Sequence, residues 1–308
     1  IEDIGAFNSE GSEAYVIGNP GQGLACEVAQ SGGFPCTKAE RKYDAVELTV
    51  DKRGTAFGSN NYFFNATYTW SRLFGNYSGL ASSDELGRTS PNVNRFFDLP
   101  MLGWTAGGEP DNGLLGTDRT HVFKAYGGYT FDWNDNGVNA TTVSAFTTAQ
   151  SGVPLTTVYS LYNVSTSILF ERGDLGRSEM FTETDLFVSH KYKFGRDNRV
   201  TFEPYIEIRN LFDERNELGI SRSYGTTNIV GTSLEAGGCT TCVVRNSSGT
   251  VLVGPTEGAS LREIFSGGIR QYVVNYFNAN PQFLSNTYGQ SNSFQGGRDV
   301  RFGFRFVF

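Results

Sequence analysis

The sequence predicts an all-β fold: a section of a transmembrane antiparallel β-barrel, with about seven strands and long extracellular loops. Three observations carry that expectation. The last eleven residues, RDVRFGFRFVF, place Val300, Phe302, Phe304, Phe306 and Phe308 on one side of an extended chain. Asp299, Arg301, Gly303, Arg305 and Val307 fall on the other side. A terminus is ordinarily polar and frayed unless something ties it down, so an apolar face running to the last residue points to lipid. Similar alternating runs recur upstream, and the connections between them are long and short in turn.

Composition sets the bounds. Gly is 38, Phe 25 and Tyr 15, against Met 2, His 2 and Pro 9, with 38% hydrophobic residues, which suits many strands with open loops better than packed helices. No run approaches the roughly 18 apolar residues of a membrane helix, so a membrane position requires a barrel. The formal charge of -7 argues against a nucleic-acid partner. The first residues show no basic segment followed by an apolar one, and residue 1 is not Met. The chain therefore reads as a mature form or as a piece of something longer.

Taken in order, residues 1–42 carry Gly, Ser, Asn and Pro without a sustained period and are expected to be an extracellular loop region. The barrel part is expected over 43–308. In YDAVELTVDKR, Val46, Leu48 and Val50 alternate with Glu47, Thr49 and Asp51. After a turn over 54–61, Phe64, Ala66, Tyr68 and Trp70 oppose Asn65, Thr67, Thr69 and Ser71, which predicts a hairpin. A long loop at about 75–118 leads to Phe123, Ala125, Tyr129 and Phe131 opposite Val122, Lys124, Tyr126 and Thr130. Asn136-Gly137 suits a primed hairpin turn into a return strand over 138–150.

A second long loop, about 151–180, precedes Leu186, Val188, Tyr192 and Phe194, which oppose Asp185, Ser189, Lys191 and Lys193. The turn GRDNR leads to Phe202, Ile206 and Ile208 opposite Glu203, Tyr205, Glu207 and Arg209. Pro204 lacks a ladder donor and predicts a bulge or weak pairing. The third long loop, about 213–297, contains Ser260-Leu-Arg-Glu263, a capping-box signal for a short helix. Tyr43, Trp70, Trp133, Tyr192 and Phe194 lie near strand ends and are candidates for aromatic interface girdles.

Seven strands cannot close a bacterial barrel, which takes an even number from about 8 upward. The chain is therefore expected to be the C-terminal section of a larger barrel, with its edge strands paired outside these residues and its C-terminus in the periplasm. The ions expected on the lumenal face are Glu47, Lys124, Glu203, Glu207, Arg209, Arg301 and Arg305. A dry packed interior would penalise them unless paired, whereas a watery or plugged lumen would not. Glu203 and Glu207 could form a ladder of opposite charges with Arg301 and Arg305, bonding the wall to itself or touching ligand.

The cysteines form two close pairs, Cys26 with Cys36 and Cys239 with Cys242, read as small disulfide-closed loops rather than metal sites. Asp132-Trp-Asn134-Asp-Asn136-Gly137 begins like a calcium loop, but its twelfth place is Val143, so a polar turn suffices. His121 and His190 are too few and too separated for a triad or a zinc site. No enzyme activity and no cofactor are expected. Five sequons, at Asn65, Asn76, Asn139, Asn163 and Asn246, would suit a secreted β-sandwich, yet three of them fall on or beside strands.

Several segments also resemble a family. RKYDAVELTVDKR with FNATYTWSR, LGTDRTHVFKAYGGYTF, TAQSGVP, EIRNLFDERN and the terminal VRFGFRFVF are similar to the C-terminal barrel of TonB-dependent outer-membrane receptors, over roughly residues 40–308. NRFFDLP ahead of TDRTHVFKAYGGYTF is closest to the Oar-like branch. The resemblance implies a barrel of about 22 strands with a plugged lumen, in a Gram-negative outer membrane, importing a scarce ligand with energy delivered by TonB. The implied partners are outer-membrane lipid, the upstream strands and plug, and TonB through the N-terminal part; nothing here matches the plug or the TonB-contacting segment. The resemblance further implies that Phe304, Phe306 and Phe308 carry the barrel-assembly signal. An outer-membrane anchor holding a surface protein, or a part in protein export, is the alternative function.

Overall fold

The computed structural model describes residues 40–76, 112–161, 165–240 and 270–308, with a few isolated positions between. Cys26, Cys36 and the Ser260–Glu263 helix signal lie outside the described residues. Strands β1 (Arg41–Thr55) and β2 (Asn61–Gly75) form the first hairpin, and the two-residue β3 (Gly113–Leu114) pairs with the end of β2. Strands β4 (His121–Asp132) and β5 (Asn139–Gln150) form the second. The short β6 (Val158–Leu161) and β7 (Ser165–Ile168) precede the third hairpin, β8 (Phe181–Phe194) and β9 (Val200–Arg209). The last connection holds β10 (Glu217–Ile220), β11 (Ser223–Ile229), α1 (Gly231–Ala236), β12 (Val244–Arg245), β13 (Val251–Leu252), α2 (Arg270–Ala279) and β14 (Ser291–Phe294), before β15 (Asp299–Val307).

Seven long strands make one antiparallel sheet in the order β1-β2-β4-β5-β8-β9-β15, as the alternating runs predicted. Among the described residues β1 pairs only with β2 and β15 only with β9, so the sheet is open at both ends. The short turns, 56–60, 133–138 and 195–199, lie at one end and the long connections at the other. This is a barrel wall, and among the described residues no helix is long and apolar enough to cross a membrane.

Register keeps the two faces continuous across the wall. Leu48 lies opposite Tyr68, Tyr68 opposite Phe123, and Phe123 opposite Ala149. Val143 lies opposite Val188, Val188 opposite Ile206, and Ile206 opposite Phe302. A slip of one residue anywhere would turn every side chain of that strand to the wrong face, so an apolar face against lipid specifies the pairing. Phe302, Phe304 and Phe308 are 78%, 72% and 94% exposed, which only a non-aqueous surrounding makes favourable.

Three expectations change in detail. Tyr43 lies opposite Leu73, in phase with Glu47, so it stands on the charged face and not in the girdle with Trp70. Asn136-Gly137 is not the centre of a two-residue turn: the loop spans 133–138, with left-handed backbone at Asp135 and Gly137. Of the two outcomes expected at Pro204, weak pairing is found and a bulge is not. The β8–β9 ladder lapses at His190/Pro204 and Lys191/Glu203 and resumes in the same register, while β9–β15 pairs straight through Pro204 and Phe304. The missing N–H weakens one side of the strand only.

Candidate functional site

The chain has its buried apolar core outside the wall, in a cap built from the connections that enter and leave β8 and β9. Tyr159, Leu169, Ile229, Leu234, Cys239, Cys242, Val273 and Phe277 pack together. A three-stranded sheet, β11-β6-β7, lies with α1 and α2 around them. Helix α2 contributes Val273 and Phe277 at the i, i+4 spacing that puts both on one face. Gly225 makes room for that face: a Cβ there would lie 2.1 Å from the Phe277 ring. Cys239 and Cys242 form the disulfide that their spacing predicted, closing the turn after α1.

A hydroxyl chain ties two connections together inside the cap. The Tyr288 hydroxyl lies 2.6 Å from Thr157 Oγ1, which bonds Asp174 Oδ2, and the Thr157 amide donates to Asp174 Oδ1 at 2.7 Å. Burial pushes the Tyr288 phenol above its ordinary pKa, so it stays a donor.

Beneath the cap, a clasp fixes the long-loop end of β2, β4 and β5. Asp118, 1% exposed, accepts the Leu73 amide at 2.6 Å and pairs with Arg177. Arg177 also donates to the Gly152 carbonyl at 2.7 Å, and Arg119 donates to the Ser151 carbonyl at 2.8 Å. Burial lowers the pKa of the Arg119 guanidinium. Ser151 Oγ accepts the His121 amide at 2.9 Å. A Cβ on Gly152 would stand 1.7 Å from the Ser178 carbonyl, so the glycine of SGVP is required for chain to lie on chain.

A second hub joins β8, β9 and β15. Asn210 is 2% exposed in left-handed backbone, φ 50°. Its amide donates to Asp185 Oδ1, and its side chain donates to the Gly296 and Glu214 carbonyls and accepts the Glu214 amide, all at 2.8–2.9 Å. Nearby, Asp213 accepts the Arg298 amide at 2.9 Å. That bond, with Arg215 and Arg298 close, holds the Asp213 carboxyl below its ordinary pKa.

The charged face gathers five of its seven expected ions on the β9–β15 pair, with Glu47 away on β1 opposite Thr69. Glu203 lies opposite Arg305, Glu207 opposite Arg301 and Arg209 opposite Asp299. Arg305 reaches Glu203 at 3.4 Å, whereas Arg209 bonds Glu207 at 2.9 Å and Arg301 bonds Asp299 at 2.8 Å along their own strands. Between them the Tyr205 ring covers Gly303, where a Cβ would lie 2.4 Å from the ring. Lys124 stands apart on β4, opposite Thr67 and Thr148.

The remaining sequence candidates have structural partners. Asp132 accepts the Gly137 amide at 2.6 Å and the Ser59 hydroxyl at 2.7 Å, so its carboxylate organises its own turn and latches it to the neighbouring one. His121 and His190 both lie in phase with the lipid face, bonded to Tyr68 at 2.8 Å and Thr141 at 2.9 Å. Trp133 donates to the same Thr141 at 2.8 Å, so indole and imidazole share one hydroxyl. Sequence reasoning did not anticipate Asp118, Asp174, Arg177, Asn210 or Tyr288. The runs TDRT, SGVP and RNLFDERN were visible, but their pairing is long-range.

No family model matches the chain, and no solved structure matches it. It is 29% identical over 310 aligned residues to a TonB-dependent transporter, Oar, of Myxococcus xanthus. That alignment takes in the whole chain but 25% of the relative, so the chain spans about a quarter of the length of the curated relative it matches. The chain is thus similar over its whole length to a part of that TonB-dependent transporter, and it folds as an open antiparallel wall of alternating strands.

Proposed function

We propose that this chain forms the C-terminal wall section and loop cap of an outer-membrane receptor that gathers a ligand outside the cell and admits it through the barrel lumen. The observation that carries the reading is the placement of the packed core: it stands at the long-loop end, over a wall whose inner face is polar and charged. A wall without a ligand to handle needs no folded cap, and loops held by a rigid scaffold are where recognition concentrates. The clasp at Asp118 and the hub at Asn210 supply that rigidity. The Oar relative is named a TonB-dependent transporter. The parallel role here requires upstream strands that complete a barrel of about 22, a plug, and a TonB-contacting segment. Ligand passing inward would meet the ladder of Glu203, Glu207, Arg209, Arg301 and Arg305, with Lys124 across the wall. Phe304, Phe306 and Phe308 present the apolar terminal strand to the assembly machinery, with the C-terminus in the periplasm.

The test uses the full-length receptor. Deleting 217–294 behind a short linker is expected to leave a barrel that still shifts on a gel when heated, yet no longer supports ligand uptake by cells. Unchanged uptake with an intact barrel would sink the reading.

A further inference from the structure

Residues 271–297, QYVVNYFNANPQFLSNTYGQSNSFQGG, contain no Asp, Glu, Lys or Arg but nine Asn and Gln, three Tyr and three Phe. The whole chain is 19% charged, so a 27-residue cap segment with none is a local departure. Helix α2 makes it structural. One face buries Val273 and Phe277, and the opposite face exposes Gln271, Asn275 and Asn278 at i, i+4, i+7. Gln282 continues that exposed side into the turn Pro281–Phe283. Surface helices ordinarily carry Lys and Glu on such a face, because charges are well solvated and support the helix through i, i+4 pairs. Here the ridge is all amide.

An amide ridge has specific chemistry. Each Asn or Gln offers a donor and an acceptor side by side with no net charge, which matches a hydroxyl that both donates and accepts. The ridge is pre-ordered: Gln271 Nε2 donates to Asn275 Oδ1 at 2.9 Å, and Asn275 Nδ2 donates to the Gly237 carbonyl at 3.0 Å. Beside it Tyr276 and Phe283 stack with centroids 6.2 Å apart and planes within 6° of parallel, both half-buried, giving a flat apolar shelf with polar groups at its edge. A charged ligand would find no counter-ion along this stretch. A neutral molecule with many hydroxyls and apolar ring faces would find both partners.

We infer that the α2 ridge of the cap, Gln271, Asn275, Asn278 and Gln282 with the Tyr276–Phe283 shelf, binds a neutral oligosaccharide. The inference rests on the cap being the ligand-gathering element. It is tested on the full-length receptor in detergent, titrated calorimetrically with maltohexaose, cellohexaose and xylohexaose, with a hexagalacturonate and an uncharged decapeptide as comparisons. The expected result is binding of at least one neutral sugar. Asn278→Glu and Gln282→Glu, both exposed, should weaken it by about tenfold or more, a loss on the scale of one hydrogen bond, at an unchanged unfolding midpoint. Failure of all three sugars to bind, tighter binding of the decapeptide or hexagalacturonate, or indifference to both variants would overturn the inference. The deletion of 217–294 separates the two levels. If another probe binds through the cap and sugars do not, only the sugar assignment falls; if sugar binding survives the deletion, the ligand-gathering cap falls with it.

Discussion

The side chain of Asn210 donates to the carbonyl of Gly296 at 2.9 Å, joining the end of β9 to the approach of β15 across 86 residues of chain. The same side chain serves Glu214 twice, from a left-handed backbone that Asn tolerates better than most residues. Asn210→Ala leaves buried partners unsatisfied and should cost about 2–4 kcal/mol. Asn210→Gly should cost less, because it relieves the backbone while losing the same bonds. Urea unfolding of the refolded barrel, read by the heat-dependent gel shift, measures both.

The Asp118–Arg177 pair makes a different prediction. Asp118→Ala strands a guanidinium and the Leu73 amide at a site where the carboxylate is 1% exposed, and should cost about 3 kcal/mol. Asp118→Asn keeps an acceptor for Leu73 and should cost less. Thermal unfolding followed by circular dichroism ranks the two; equal losses would mean that the Leu73 bond is not what the site depends on.

Acid should loosen the Asp213 contact. Its pKa in the folded protein is depressed, by the Arg298 amide first, so its contribution is present above the ordinary carboxylate value and is lost as pH falls through the depressed one. The wild-type protein should therefore lose more of its unfolding midpoint between neutral pH and about pH 3 than Asp213→Asn does. Parallel acid profiles would remove Asp213 from the account.

Gly303 and Tyr205 are coupled by shape. Gly303→Ala forces the ring away and should destabilise the terminal strand pair, and Tyr205→Ala should uncover the glycine. In the double variant the clash is gone, so the two costs should not add; a coupling of about 1 kcal/mol is the expected size. Additive losses would show that the ring is not seated on the glycine.

Single cysteines at Asn286 and Phe57, on a background without the native cysteines, test orientation. Asn286 is in the cap and Phe57, 88% exposed, is at a short turn. An impermeant maleimide applied to intact cells should label the first and not the second.

The wall was legible in the sequence because a strand with one face on lipid writes its period into neighbouring residues. Phe302, Phe304 and Phe306 announce β15 without knowledge of anything distant, and even the Pro204 defect was visible as a missing donor. The cap was not legible. Its order comes from pairs such as Thr157 with Tyr288, 131 residues apart, and from the parallel pairing of β6 with β11. The segment around them shows no sustained period, so it read as loop. The charge ladder was legible as composition on two strands, but its connectivity was not: Arg301 turns to Asp299 on its own strand instead of Glu207 opposite it.

The cap has a consequence for how the last strand is acquired. Residues 210–298 separate the ends of β9 and β15, and closing a flexible loop of that length carries an entropic cost of about 4 kcal/mol from the length-dependent term alone. A cap that has already condensed on Phe277 and its neighbours, with Asn210 held to Gly296, brings the two strand ends together beforehand. The terminal strand then docks as the second arm of a short hairpin, at local rather than long-range speed. A cap that folds first would in this way shorten the search by which the wall gains its last strand.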